Sequence, residues 1–260
     1  MNTSLAGRHA LVCGASSGIG RAAALALGAL GAQVTGLARR RDRLDSLVEE
    51  LQAMGVQANA VEADLDDRAD LTDTIDAIVS DHGPVHVLIN NSGGPPGGPL
   101  LDATPEAFEL AFGRHVLASH LILGRTLPGM REAGYGRIIN VISTSVREPI
   151  PNLGVSNTIR GAVASWAKTI SRELPPGVTI NNVLPGFTDT DRLGQLAEGN
   201  ANRQGTSADA VREGWRAMIP EGRLARPEEL ADVIAFLASP AASYVRGVSL
   251  PVDGGRLRSI

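Results

Sequence analysis

Apolar residues along the chain follow two spacings. Short runs in which most positions are apolar occur at 9–13, 33–37, 57–61, 85–90, 137–142, 179–184 and 248–252. Their length and bounding turn residues predict strands buried on both faces. Between them, apolar positions recur at three- and four-residue intervals over roughly 19–29, 41–54, 67–82, 105–131, 152–174 and 227–238. That period predicts helices with one buried side. In the stretch 152–174, for example, Val163, Ala167, Ile170 and Leu174 continue the apolar stripe, while Ser156 and Arg160, four apart, share a polar face. The β-α alternation predicts an α/β fold: one domain over 1–260 with a doubly wound (Rossmann) parallel sheet of about seven strands and helices on both faces. Right-handed crossovers then put a ligand crevice beyond the carboxyl ends of the strands.

Two segments break the alternation. "GGPPGGPL" (93–100) is too rich in glycine and proline for helix or central strand, so it is read as a loop after the fourth strand. The polar stretch 189–220 is long, as lids and substrate-binding elements at strand carboxyl ends often are; a solvated excursion is the plainer reading. No internal repeat, low-complexity tract or linker divides the chain.

Composition narrows the function. Apolar residues make up 43% of 260, enough for a large core, and the net charge of −4 gives no reason to expect nucleic acid. The single cysteine, Cys13, lies in an apolar run and forms no internal disulfide, so it reads as a small core residue. No apolar run reaches membrane-spanning length and the first residues show no signal segment, so a soluble cytoplasmic protein is expected. His82, His86 and His120 have no partner spacing for a metal, and no metal site is expected. Trp166 and Trp215 read as packing residues.

The chemistry begins after the first strand. "CGASSGIG" places Gly14, Gly18 and Gly20 between a strand and a helix, together with Ser16, Ser17 and Ile19. A tight turn, close backbone and free helix N–H groups suit a diphosphate. The spacing Gly-x-x-x-Gly-x-Gly resembles the short-chain dehydrogenase/reductase family, and four later stretches agree in order. They are "LINNSGG" (88–94, with Asn91 and Gly93), "GRIINVIST" (136–144), "NNVLPGFTDTD" (181–191, with Pro185, Gly186 and Thr188) and "GRLARPEELADVIAFLASPAASYVRGVSLPVDGG" (222–255). The resemblance implies a nicotinamide cofactor and a small carbonyl or alcohol substrate, with Asp64 and Leu65 at the adenine.

After the second strand the chain reads "LARRRDR". Ala38 stands where an NAD-selective member of the resembled family carries an acid. Arg39, with Arg40 beside it, is placed to pair with a ribose 2′-phosphate. Three arginines in a row also read as a solvated helix start. NADP(H) is therefore expected over NAD(H).

The resembled family reduces carbonyls with a tyrosine acid, a lysine four residues on, a serine and an asparagine. Ser143 falls at the serine position. Ser156 stands at the tyrosine position, Arg160 at the lysine and His115 at the asparagine. A serine hydroxyl is a far weaker acid than a phenol, and an arginine only donates. His115 titrates naturally near neutrality, which makes it the candidate substitute acid; it also reads as a helix histidine filling space. Ser156 and Arg160 read equally as a polar patch against cofactor or loop. "NSGGPP" (91–96) together with "PNLGVSNTIR" (151–160) resembles a divergent branch of the family in which both motifs replace the usual ones. The helices at 105–131 and 152–174 resemble the family's intersubunit helices and imply a homotetramer or homodimer.

Overall fold

A computed structural model describes residues 1–259. Seven strands form one parallel sheet: β1 (His9–Cys13), β2 (Gln33–Ala38), β3 (Ala58–Glu62), β4 (Val87–Asn90), β5 (Gly136–Val141), β6 (Val178–Pro185) and β7 (Ser249–Val252). Their order is β3-β2-β1-β4-β5-β6-β7. Each expected strand is present, with ends shifted by at most two residues. Because β1 neighbours both β2 and β4, the chain reverses its direction of winding there, and a crevice opens between their carboxyl ends.

The alternation of side chains along β1 builds two cores. Ala10 and Val12 pack with α1 (Gly18–Ala29), α2 (Arg41–Ala53) and α9 (Pro227–Ala238). Leu11 and Cys13 face the other side, with α3 (Arg68–His82), α5 (Ala118–Glu132) and α6 (Gly154–Glu173). Burial pushes the Cys13 thiol up to about 12, so it stays an unreactive core group. Among the described residues, no helix is long and apolar enough to cross a membrane.

The stretch 105–131, expected as one helix, is a continuous helical path of three parts. α4 (Pro105–Phe112) passes through a π-helical turn at Gly113–Leu117 into α5. The wider turn sends His115 inward, leaving it 3% exposed, and the Ser119 hydroxyl donates to its carbonyl at 2.9 Å. The polar stretch 189–220 folds as two helices, α7 (Asp191–Gln204) and α8 (Ala208–Ala217), packed on each other through Ala197, Ala201 and Val211.

Four strands are tied across their centre by buried side chains. Asn90 donates to Asn140, Asn140 to Asn182, and Asn182 to the Ser249 hydroxyl, at 2.8, 2.8 and 3.0 Å. All are facing pairs in the ladder, so the chain of amides holds the register of β4 to β7 just below the crevice.

Candidate active site

The glycine turn after β1 is built by exclusion of side chains. A Cβ at Gly20 would lie 2.2 Å from the Gly14 carbonyl oxygen, and one at Gly14 would lie 2.6 Å from Asn91 Nδ2. Gly14 and Gly18 also sit at φ of +64° and +55°, the left-handed region that glycine reaches without strain. Asn91 closes the turn from the β4 side, donating to the Cys13 and Gly14 carbonyls at 3.3 and 3.4 Å. Ser17, the N-cap of α1, makes no side-chain cap, and the first turn of that helix carries no acid. Its leading N–H groups are left for an anion, so the cradle fits the diphosphate of a dinucleotide.

One edge of the cleft is basic, lined by both Arg39 and Arg40. Arg40, not Arg39, turns onto the glycine loop, donating to the Ser16 hydroxyl at 3.0 Å and to Ser17 at 2.7 Å. Arg39, largely exposed, lines the same edge with its guanidinium 3.6 Å from Asp64. Asp64 and Leu65 line the same end of the cleft beside Ala38.

At the other end stand Ser143, Ser156 and Arg160, brought to one wall by β5 and α6. The Ser143 Oγ accepts the Ser145 N–H at 3.0 Å as it caps a short turn, which leaves its own proton free to donate. Arg160 is 8% exposed and donates to the Val141 carbonyl at 2.9 Å and the Ser92 carbonyl at 3.4 Å. Burial, with Arg192 nearby, brings its guanidinium down to about 10, still protonated at neutral pH.

His115 departs from the expected role. It lies behind this wall, lining a small void of about 10 Å³ with Asn90, Asn140 and Arg160 rather than the cleft itself. Its Nδ1 meets the Ser92 hydroxyl at 2.6 Å, while Nε2 and the Asn90 Oδ1 have no partner among the described residues. Burial, then the charges of Arg160 and Arg114, push the imidazole down to about 2. A cation there is buried and faces two guanidinium groups, so the neutral ring is favoured in the working range.

The two unusual motifs interlock. Gly98 N–H donates to the Asn152 carbonyl at 2.8 Å, and Gly154 N–H to the Gly98 carbonyl at 3.1 Å. A side chain at Gly154 would begin 2.5 Å from the Leu100 Cα, so glycine is required for the Gly/Pro loop to seat on α6. Asn152 turns the chain at φ +59°, a conformation asparagine tolerates. Asn157 fastens the same segment to the Ile150 backbone at 2.9 Å.

Three cleft residues escaped the sequence reading. Thr190 closes the Pro-Gly-x-x-x-Thr segment, and its Cγ2 lies 3.1 Å from where a Gly18 side chain would start. The motif itself names this residue; Thr188 also lines the cleft, with its hydroxyl turned to the Gly186 carbonyl at 3.3 Å. Arg192, in the first turn of α7, donates to the Pro95 carbonyl. Arg256 donates to Thr144 at 3.1 Å and lies over the Phe187 ring, which stacks on Trp215. For Arg192 and Arg256 the sequence carries no signal beyond charge. Pro185, Gly186, Ile19 and Gly93 all line the cleft as expected, whereas Gly20 sits beneath it.

A diphosphate cradle at a switch point, a basic edge beside it and a free serine hydroxyl across the cleft define a dinucleotide-binding α/β protein. The chain belongs to the short-chain dehydrogenase/reductase family: the family model described as Enoyl-(Acyl carrier protein) reductase matches residues 14–256. A 3-oxoacyl-[acyl-carrier-protein] reductase of Pseudomonas aeruginosa is 34% identical, covering 98% of this chain and all of its own length. An NADPH-dependent reductase of Bacillus subtilis is 32% identical, over 97% and 99%. The solved L-sorbose reductase of Gluconobacter frateurii, complexed with NADPH and L-sorbose, superposes with a TM-score of 0.93 at 28% identity, covering the whole of both chains.

Proposed function

We propose that this chain is an NADP(H)-dependent oxidoreductase acting on a carbonyl or alcohol substrate, with NAD(H) the weaker cofactor. The observation that carries the reading is Arg40 on Ser16 and Ser17: a planar cation at the diphosphate turn, without a carboxylate partner among the described residues, fits a ribose 2′-phosphate. When bound, the reduced nicotinamide supplies the hydride. Ser143 then holds the substrate oxygen with its free proton, and Arg160 and Ser156 present donors on the same wall. With His115 neutral and behind that wall, the proton that completes the alcohol comes from water in the cleft. The helices α7 and α8 act as the lid, since Leu193, Leu196 and Trp215 line the cleft from that side.

Comparing dissociation constants tests the cofactor assignment. NADPH should bind at least about tenfold more tightly than NADH, the least that one charge-assisted contact supplies. Arg40→Met should remove most of that difference; equal affinities in the unaltered protein would defeat the assignment.

A second reading is a nucleotide-binding protein of the same divergent branch without turnover. It is favoured by Ser156 and Arg160, neither of which donates a proton as a tuned phenol does. Tight NADPH binding with no oxidation on a broad carbonyl panel would select it.

Self-association accompanies either reading. Leu110, Phe112 and Leu117 on the α4–α5 path are 54, 40 and 41% exposed, apolar side chains that a second copy could cover. Light scattering should give a dimer or tetramer mass, lowered by Phe112→Glu; a monomer would refute it.

A further inference from the structure

The cleft contains two arginines that a dinucleotide does not account for. The phosphates of such a cofactor are matched at one end by the open start of α1 and by Arg40. Arg160 and Arg192 lie elsewhere, converging on Gly94: an Nη2 of each comes 3.6 Å from the point where a Gly94 side chain would begin. Among the described residues neither pairs with a carboxylate. The nearest acids in sequence do not answer them, because Asp189 faces Arg212 at 3.6 Å and Asp191 is exposed. Their hydrogen-bond partners among the described residues are the carbonyls of Val141, Ser92 and Pro95. Two like charges held together, one of them buried, are costly unless an anion comes between them.

We propose that Arg160 and Arg192 form a carboxylate-binding subsite beside Gly94, so that the substrate is an oxo acid or the corresponding hydroxy acid. The two planar forks suit a two-oxygen anion, and Gly94 leaves the space between them open. Burial lowers the proton affinity of both guanidinium groups, the expected state of cations awaiting a counter-charge. Arg192 also joins the lid helix to the Gly/Pro loop through Pro95, so an anion bound there would draw α7 down over the substrate. The carbonyl part of this assignment rests on the oxidoreductase reading; the anion subsite does not.

Ligand-observed NMR on the free and NADPH-loaded protein tests it, with acetoacetate and levulinate as probes and their methyl esters as neutral counterparts. The acids should bind roughly 10- to 100-fold more tightly than the esters, the worth of one charge-assisted contact. Arg192→Met should bring that ratio close to one, and Arg192→Lys should keep part of it. Gly94→Ala should also erase it, because the added methyl meets both guanidinium groups at ordinary contact distance and occupies the space without displacing backbone. No preference for the acids, no binding of either acid, or a ratio that survives Arg192→Met and Gly94→Ala would overturn the subsite. So would Arg192→Met weakening NADPH while the ratio stays, which would assign the arginine to the cofactor. A preference for acids without NADPH oxidation on any carbonyl would leave the subsite standing and the oxidoreductase reading refuted. NADPH oxidation as fast with esters as with acids would do the reverse.

Discussion

Replacing Ser143 with alanine should lower kcat/KM for carbonyl reduction by about 10²- to 10³-fold, with NADPH affinity nearly unchanged. The size follows from the role: a single hydroxyl, fixed by the Ser145 N–H it accepts, is the donor placed where charge develops on the substrate oxygen. The cofactor cradle lies across the cleft, so binding of the dinucleotide has little to lose. Steady-state kinetics with NADPH titration reads both quantities at once. His115→Ala is the sharper companion, because His115 stands behind the wall and is neutral. It touches the Ser92 hydroxyl, and the Ser92 carbonyl in turn holds Arg160, so its removal should cost less than that of Ser143 and act through position. If the histidine variant lost as much as the serine variant, and the acid limb of the pH–rate profile moved with it, the proton route would run through His115 after all.

The contrast between those two residues shows what a sequence can and cannot carry here. The cofactor half was legible, because its requirements are local: glycines at fixed spacing, a strand before and a helix after, and a polar residue at the end of β4. Gly14, Gly18 and Asn91 occupy the positions their spacing implied, and the structure adds the reason, a Cβ at Gly14 colliding with Asn91. Direction is a different matter. Arg39 and Arg40 are neighbours in sequence at the end of a strand, where successive side chains diverge, so charge alone did not tell which one turns to the loop. The acidity of His115 was still less legible. Its ordinary value suggests an acid, and only the π-helical turn and the approach of Arg160 from another helix make it neutral. Likewise Arg192 and Arg160 are 32 residues apart and meet only because the lid and α6 converge on Gly94.

Two buried histidines, His115 and His9 of β1, should make the fold sensitive to acid. His9 and His115 are each 3% exposed, and burial pushes them down to about 4 and about 2. Burial favours the neutral form of the His9 ring, which both its partners accommodate. The Gly83 carbonyl can only accept, so Nδ1 donates to it, and Nε2 takes the Thr35 hydroxyl proton at 2.8 Å. The folded values lie below the unfolded value of about 6.5, so both groups contribute fully above that pH. As pH falls further, the unfolded chain takes up protons that the folded chain refuses, and stability declines until the folded values are reached. Each histidine supplies a slope of at most about 1.4 kcal/mol per pH unit, so the pair approaches at most about 2.7 between pH 5.5 and 4.5. Summed from pH 6.5 to 4 the loss is at most about 7 kcal/mol, a large share of a total of about 5–15 kcal/mol. His86, also lowered by burial, acts in the same direction, and the Glu229 carboxylate held by Arg223 adds to it below its ordinary range. Urea titrations at pH 7, 6, 5 and 4.5 give the curve. His115→Gln should flatten it by about one proton's worth even if the variant is less stable throughout, because the slope counts protons and not contacts. A curve flat from pH 7 to 5 in the unaltered protein would mean that these histidines are charged in the fold, and the neutral His115 would have to be given up.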